Sequence, residues 1–163
     1  MPVTSLGTWH HLAGRFFAVV LAKGLKPGEV DEIGIWLSPE EHEAFLAQPP
    51  YDQRHGLDSA RHLAELGPQR RDLVRAALLH DIGKRHSHLG PIGRSLASAY
   101  AKLGGKSRGR WASYLEHGLA GGAELKALGS EPMVVEFAQH HHGRRPGSIT
   151  QADWDLLQAA DHV

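Results

Sequence analysis

The stretch ALLHDIGKRH, residues 77–86, decides how this chain is read. Joined to PQRRDLVRA before it, it places Leu73, Val74, Ala77, Leu78 and Asp81 along one broad helical face. An apolar face predicts burial, and here it runs straight into His80 and Asp81. Burying such groups without partners costs several kcal/mol. Either the pair faces water or other residues compensate it, and the rest of the sequence bears on which.

Helical signals dominate on both sides of that stretch. SPEEHEAFLAQPP offers Ser38 as N-cap, Pro39 in the first turn, acids at the positive end of the helix dipole and Pro49 as a stop. YDQRHGLDSARHLAELGP predicts a helix ended by Gly67 and Pro68. PIGRSLASAYAKLGG, EPMVVEFAQHHHG and TQADWDLLQAADHV predict further helices. RGRWASYLEHGLAGGAELKALG is helical but interrupted at Gly118, Gly121 and Gly122, which predicts two helices. The strongest strand signal, VDEIGIWLS at 30–38, contains Gly34 and predicts a short strand or an irregular connection. RFFAVVLA at 15–22 predicts a core-facing helix, with a membrane-surface helix as the alternative, and is far too short to span a bilayer. The expected fold is all-α: seven or eight helices around one core, in a compact single-domain bundle over 1–163. Residues 51–163 form its core and 1–50 a helical extension packed on it.

Composition narrows the function. A chain of 163 residues can bury roughly 70% of its unfolded surface, so it needs no staple merely to fold. Eighteen basic residues balance eighteen acidic ones, which argues against a general nucleic-acid binder. There is no cysteine, so thiolate metal sites, cysteine nucleophiles and disulfides are excluded. The absence of a membrane-length run or a secretory cleavage pattern leads us to expect a cytoplasmic protein with no membrane partner.

Histidine is the outlier, at 13 residues. His55 lies on the helix of 52–66, His141 and His142 close the helix that carries Met133, Val134, Val135 and Phe137, and Asp161 follows Leu157 by one helical turn. An inward carboxylate on an apolar face must be paired, protonated or bound to a cation. Histidines and aspartates from separate helices that converge and share metal ions would supply that compensation.

The order His55, then His80-Asp81, then Asp161 resembles the signature of the HD-domain superfamily of metal-dependent phosphohydrolases, and HDIGK at 80–84 resembles its HDIG subgroup. EHGLAGGAEL at 116–125, QHHHGRRPG at 139–147 and LLQAADHV at 156–163 resemble further motifs of the binuclear, HD-GYP-type phosphodiesterases and their small relatives. The resemblance spans residue 50 to the C-terminus. It implies that His55, His80, Asp81 and Asp161 ligate one metal, and that Asp81 bridges to a second completed by His117 and two of the triple histidine. The register of Gly147 favours His141 and His142 over a pair that includes His140. Lys84 matches the family lysine that holds substrate phosphate or assists proton transfer, so Asp81 and Lys84 are the expected catalytic residues.

Nitrogen and oxygen ligands without sulfur suit Mn, Fe, Co, Ni or Zn, with Mg also compatible. Two such ions about 3.5–4 Å apart would activate a hydroxide for in-line attack on phosphorus. Lys84, Arg144 and Arg145 would bind the phosphoryl oxygens. KLGGKSRGR at 102–110 carries four basic residues and no acid, and reads as a solvated loop or as a lid over an anionic substrate. The expected substrate is a phosphorylated small molecule, a nucleotide or cyclic nucleotide foremost, with no stable nucleic-acid complex. Two departures matter. GRRPGSIT lacks the completion of the full HD-GYP motif, and Tyr51 stands where trinuclear relatives carry a glutamate. Two other functions fit the same ligand order: a di-iron HD-type oxygenase and a non-catalytic HD scaffold.

Overall fold

The computed structural model describes residues 24–67 and 70–162, and RFFAVVLA lies outside them. Nine α-helices and one 3-10 helix, with no strand, make up the described residues. They are α1 (Pro27–Trp36), α2 (Pro39–Leu46), α3 (Pro50–Leu66), α4 (Arg71–Leu79), the 3-10 helix Ile82–Ser87, α5 (Pro91–Lys102), α6 (Arg110–Leu115), α7 (His117–Ala127), α8 (Pro132–His140) and α9 (Gln151–Asp161). The all-α expectation holds, with more helices than the seven or eight foreseen.

Local chemistry explains most boundaries. Ser38 Oγ accepts from Glu41 N at 3.2 Å and Glu41 Oε2 accepts from Ser38 N at 3.0 Å, a reciprocal cap that starts α2. Thr150 Oγ1 accepts from Asp153 N at 3.1 Å and starts α9. Residues 30–38 are a correction. They belong mostly to α1, because Glu29 Oε2 accepts from Lys26 N at 2.8 Å, Pro27 opens the first turn, and Ile33 is wholly buried. The β-branched and aromatic residues that suggested a strand are overridden by this cap and by packing.

The core gathers Leu57 and Leu63 of α3, Leu73, Leu78 and Leu79 of α4, Val134 and Phe137 of α8, and Trp154 and Leu157 of α9. Ile33, Leu37, Ala44 and Phe45, from α1, α2 and the residue between, join the same cluster. A buried ion pair braces this side. Arg75 of α4 donates to both oxygens of Glu41 at 2.6 and 3.1 Å and to Glu131 at 2.7 Å, while Ser130 Oγ donates to Glu41 at 2.6 Å. Burial by itself would raise the Glu41 carboxyl, but Arg75, Ser130 and the Ser38 amide hold it below its ordinary value.

The segment expected to break at its glycines breaks earlier, at Glu116 between α6 and α7. Gly118, Gly121 and Gly122 lie inside α7 and serve contact instead. A Cβ on Gly83 would sit 2.0 Å from His117 O and 2.6 Å from Gly121 N, and one on Gly118 would sit 2.8 Å from Ala138 O. Only bare backbone lets α7 lie this close to the 3-10 helix and to α8.

Gly83→Ala is therefore expected to cost ~3 kcal/mol or more, because the obstacle is backbone that cannot swing aside. The urea unfolding midpoint checks it. Glu41→Gln removes a carboxylate whose folded pKa is depressed, so the stability it contributes is full above the unfolded value of about 4.5 and is lost as pH falls through the folded value. The variant is expected to lose roughly 3 kcal/mol at neutral pH and to show a shallower decline below pH 4.5 than the parent, as read by denaturation across pH.

Candidate metal centre

Three of the central histidines sit just past the end of a helix. His80 follows α4, His117 follows α6 and opens α7, and His141 follows α8. In each, Nδ1–H donates to the carbonyl three residues back: His80 to Ala77 O at 2.9 Å, His117 to Tyr114 O at 2.6 Å, and His141 to Ala138 O at 2.9 Å. Each imidazole thereby caps a helix carbonyl and suits the negative end of its dipole. The same bond directs Nε2 inward, as outer-shell carbonyls do for metal-binding histidines. Gln158 Nε2 donates to His141 O at 2.7 Å and fixes that turn further.

The inward atoms form two groups. In one, His55, His80 and Asp161 bring a donor atom each within 4.8 Å of one another. In the other, Asp81, His117, His141 and His142 do the same. Asp81 stands between them: Oδ2 is 3.4 Å from His80 Nε2 and 3.7 Å from His55 Nε2, and Oδ1 is 3.1 Å from His117 Nε2 and 3.4 Å from His141 Nε2. Asp161 Oδ1 lies 2.8 Å from His80 Nε2 and 3.1 Å from His55 Nε2. All seven residues expected as ligands thus converge, and His140, exposed at the end of α8, lies outside both groups.

The donors fit a cation. His117 Nε2 and His141 Nε2 face one another at 3.3 Å, although each ring has already committed its Nδ1–H elsewhere. His80 Nε2 is buried and has no hydrogen bond, although two carboxylates lie close by. Lone pairs aimed at lone pairs repel unless a positive charge sits between them. The field has the matching sign. Burial would lower His80, but Asp81 and Asp161 outweigh it and push its pKa up to about 10. Burial would raise both carboxylates. Lys84 and His80 hold Asp81 well below its usual range, and His80 and His55 do so for Asp161. His141 is lowered by burial, with His80 adding to it and Asp81 opposing it, which favours the neutral, ligating form.

Lys84, buried in the 3-10 helix, bonds Asp81 Oδ2. Burial alone would lower its ammonium, but Asp81 foremost raises it, so it stays charged. Arg144 and Arg145 are exposed in the segment after His142. Arg145 is committed to Ile149 O and to Gln151 Oε1 at 3.1 Å, so it ties this segment to the start of α9. In the 102–110 segment, Gly104 N donates to Ala101 O at 3.0 Å and Gly105 N to Tyr100 O at 3.0 Å, which anchors its first residues to α5.

One brace was not read from sequence. Arg94 of α5 is buried and grips Asp52 of α3 at 2.7 and 2.9 Å, while its Nε donates to Leu89 O at 3.0 Å. Its guanidinium lies 4.9 Å from the Tyr51 ring centre and 5.5 Å from that of Tyr114. Tyr51 is one turn before His55, and Tyr114 both stacks on His117 at 5.9 Å and holds its Nδ1–H. Arg94 therefore links the two groups through α3 and α6. Nothing in the spacing of Asp52 or Arg94 signals the pairing, since they lie on different helices.

Arg94→Ala leaves Asp52 buried and unpaired, and is expected to cost about 3–5 kcal/mol. Arg94→Met with Asp52→Leu removes both charges and is expected to cost less than the sum of the single changes in a denaturation double-mutant cycle.

The HD domain family matches residues 54–162, about two thirds of the chain. No curated protein and no solved structure matches it.

Proposed function

Because the chain belongs to the HD domain family, we propose that it is a metal-dependent phosphohydrolase of the HDIG type, acting on a phosphate ester of a nucleotide or cyclic nucleotide. The observation that supports this reading is the pair of donor groups meeting at Asp81. His55, His80 and Asp161 would hold one divalent ion, and His117, His141 and His142 a second, with one Asp81 oxygen turned to each group. Divalent transition metals bound there supply Lewis acidity toward a phosphoryl oxygen and acidify water at neutral pH.

The chain's own groups have distinct tasks. The carbonyls of Ala77, Tyr114 and Ala138 orient three imidazoles and hold their Nδ1 protons away from the site. Lys84 keeps its proton and presents a fixed ammonium beside Asp81, suited to neutralising charge that develops on a phosphoryl oxygen. Arg144, exposed two residues after His142, suits a second phosphate contact at the rim.

The test is elemental analysis of untagged protein together with hydrolysis of bis(p-nitrophenyl) phosphate and p-nitrophenyl phosphate. About two metals per chain with chelator-sensitive hydrolysis is the expected result. Asp81→Ala is expected to lose both metals, His142→Ala chiefly one, and Lys84→Gln to keep its metals while kcat falls roughly a hundredfold. Protein that stays metal-free after addition of Mn or Fe overturns the reading. Two irons with oxygen consumption and no hydrolysis would replace it with the di-iron oxygenase.

A further inference from the structure

α5 is turned the wrong way for a core helix. It buries Arg94 and Ala97 and points its large apolar residues outward. Ile92 is 65% exposed, Leu96 54%, Tyr100 44%, and Leu103, just past the helix end, 79%. At 3.6 residues per turn these four fall within an arc of roughly 80°, so they form one stripe. Single exposed apolar residues are ordinary, whereas a contiguous row marks a contact surface. The cause lies inside the fold: Asp52 draws Arg94 inward, and the opposite face of the helix must then face out.

The stripe has a basic surround. No acidic residue occurs between Asp81 and Glu116, and of the seven cations in that interval Lys84, Arg85 and Arg94 are paired with Asp81, Glu124 and Asp52, which leaves Lys102, Lys106, Arg108 and Arg110. Lys102, Lys106, Arg108 and Arg110 are exposed. The segment carrying them folds back beside the stripe: a Cβ on Gly105 would lie 2.3 Å from the Tyr100 ring, and Trp111 packs edge-on to that ring at 5.4 Å. In a chain that is neutral overall, these four exposed cations within nine residues are a local excess of positive charge.

A second copy meeting this face about a twofold axis would press its cations against the same cations. A nucleic acid would satisfy the cations through its phosphates and leave the apolar row in water. An anionic lipid surface satisfies both features at once. We propose that α5 and residues 102–110 form a peripheral contact site for an anionic bilayer. Ile92, Leu96, Tyr100 and Leu103 enter the boundary between headgroups and acyl chains, and Lys102, Lys106, Arg108 and Arg110 meet the anionic headgroups. This is contact without a span, for no helix among the described residues is long and apolar enough to cross a membrane.

The test is flotation of the full chain with vesicles of phosphatidylcholine alone and of equal parts phosphatidylcholine and phosphatidylglycerol. The protein is expected to float with the anionic vesicles only and to be released by high salt. Leu96→Asp is expected to lower that partitioning about tenfold or more, with an unchanged unfolding midpoint because Leu96 is already exposed. Absence of flotation with anionic vesicles, or flotation that Leu96→Asp leaves intact, overturns the proposal. So does a dimer in sedimentation equilibrium that Leu96→Asp dissociates, which assigns the stripe to a second copy. Leu96-dependent binding of a single-stranded RNA without flotation assigns it to nucleic acid. A lowered unfolding midpoint for Leu96→Asp without flotation shows that the chain covers the stripe itself.

Discussion

The architecture turns on a convergence of imidazole nitrogens and carboxylate oxygens that needs positive charge among them. His80, His117 and His141 each give Nδ1–H to a helix carbonyl, and what remains faces inward: imidazole nitrogens and the oxygens of Asp81 and Asp161, with Nε2 atoms as close as 3.3 Å. An apolar protein interior does not tolerate such an arrangement uncompensated. Lys84 supplies one positive charge and His80, with its elevated pKa, draws another. The same field favours divalent ions, which is why membership of the HD domain family and the physical reading of the site point the same way.

Holding those groups in place falls to backbone contact and to two buried guanidinium pairs. Gly83 and Gly118 let α7 approach the 3-10 helix and α8 at backbone distance, so His117 reaches Asp81. Arg75 locks Glu41 to α4 on one side, and on the other Arg94, against the Tyr51 and Tyr114 rings, locks Asp52. Buried pairs of this kind add little net stability, yet losing one partner is costly. Each therefore penalises any drift of the helices it joins.

Arg94 also couples the interior to the surface. A helix has one orientation about its axis, and committing Arg94 inward commits Ile92, Leu96 and Leu103 outward. The brace that aligns the two donor groups thus sets which residues α5 presents to its surroundings.

Most of the helices, and the histidines and aspartates able to hold a metal, are legible in the sequence. Caps such as Ser38 with Glu41, the apolar period of 73–78 and the recurrence of His and Asp at helix ends are local, and local spacing fixes which residues share a face. Spacing alone puts His55, His80, Asp81, Asp161 and the histidines that close α8 next to apolar helical faces, whereas His117 joins them only through what the resemblance to the HD-domain superfamily implies. The strand signal at 30–38 misled, because a Glu29 cap and burial of Ile33 outweighed β propensity. The tertiary structure brings a donor atom of His141 and of His142, and not of His140, to the Asp81 group, and it alone sets the α7 glycines in close contact with their neighbours and Arg94 on Asp52. Those outcomes depend on groups far apart in the chain. Periodicity says that a side chain lies on a face, but only packing says which neighbour that face meets.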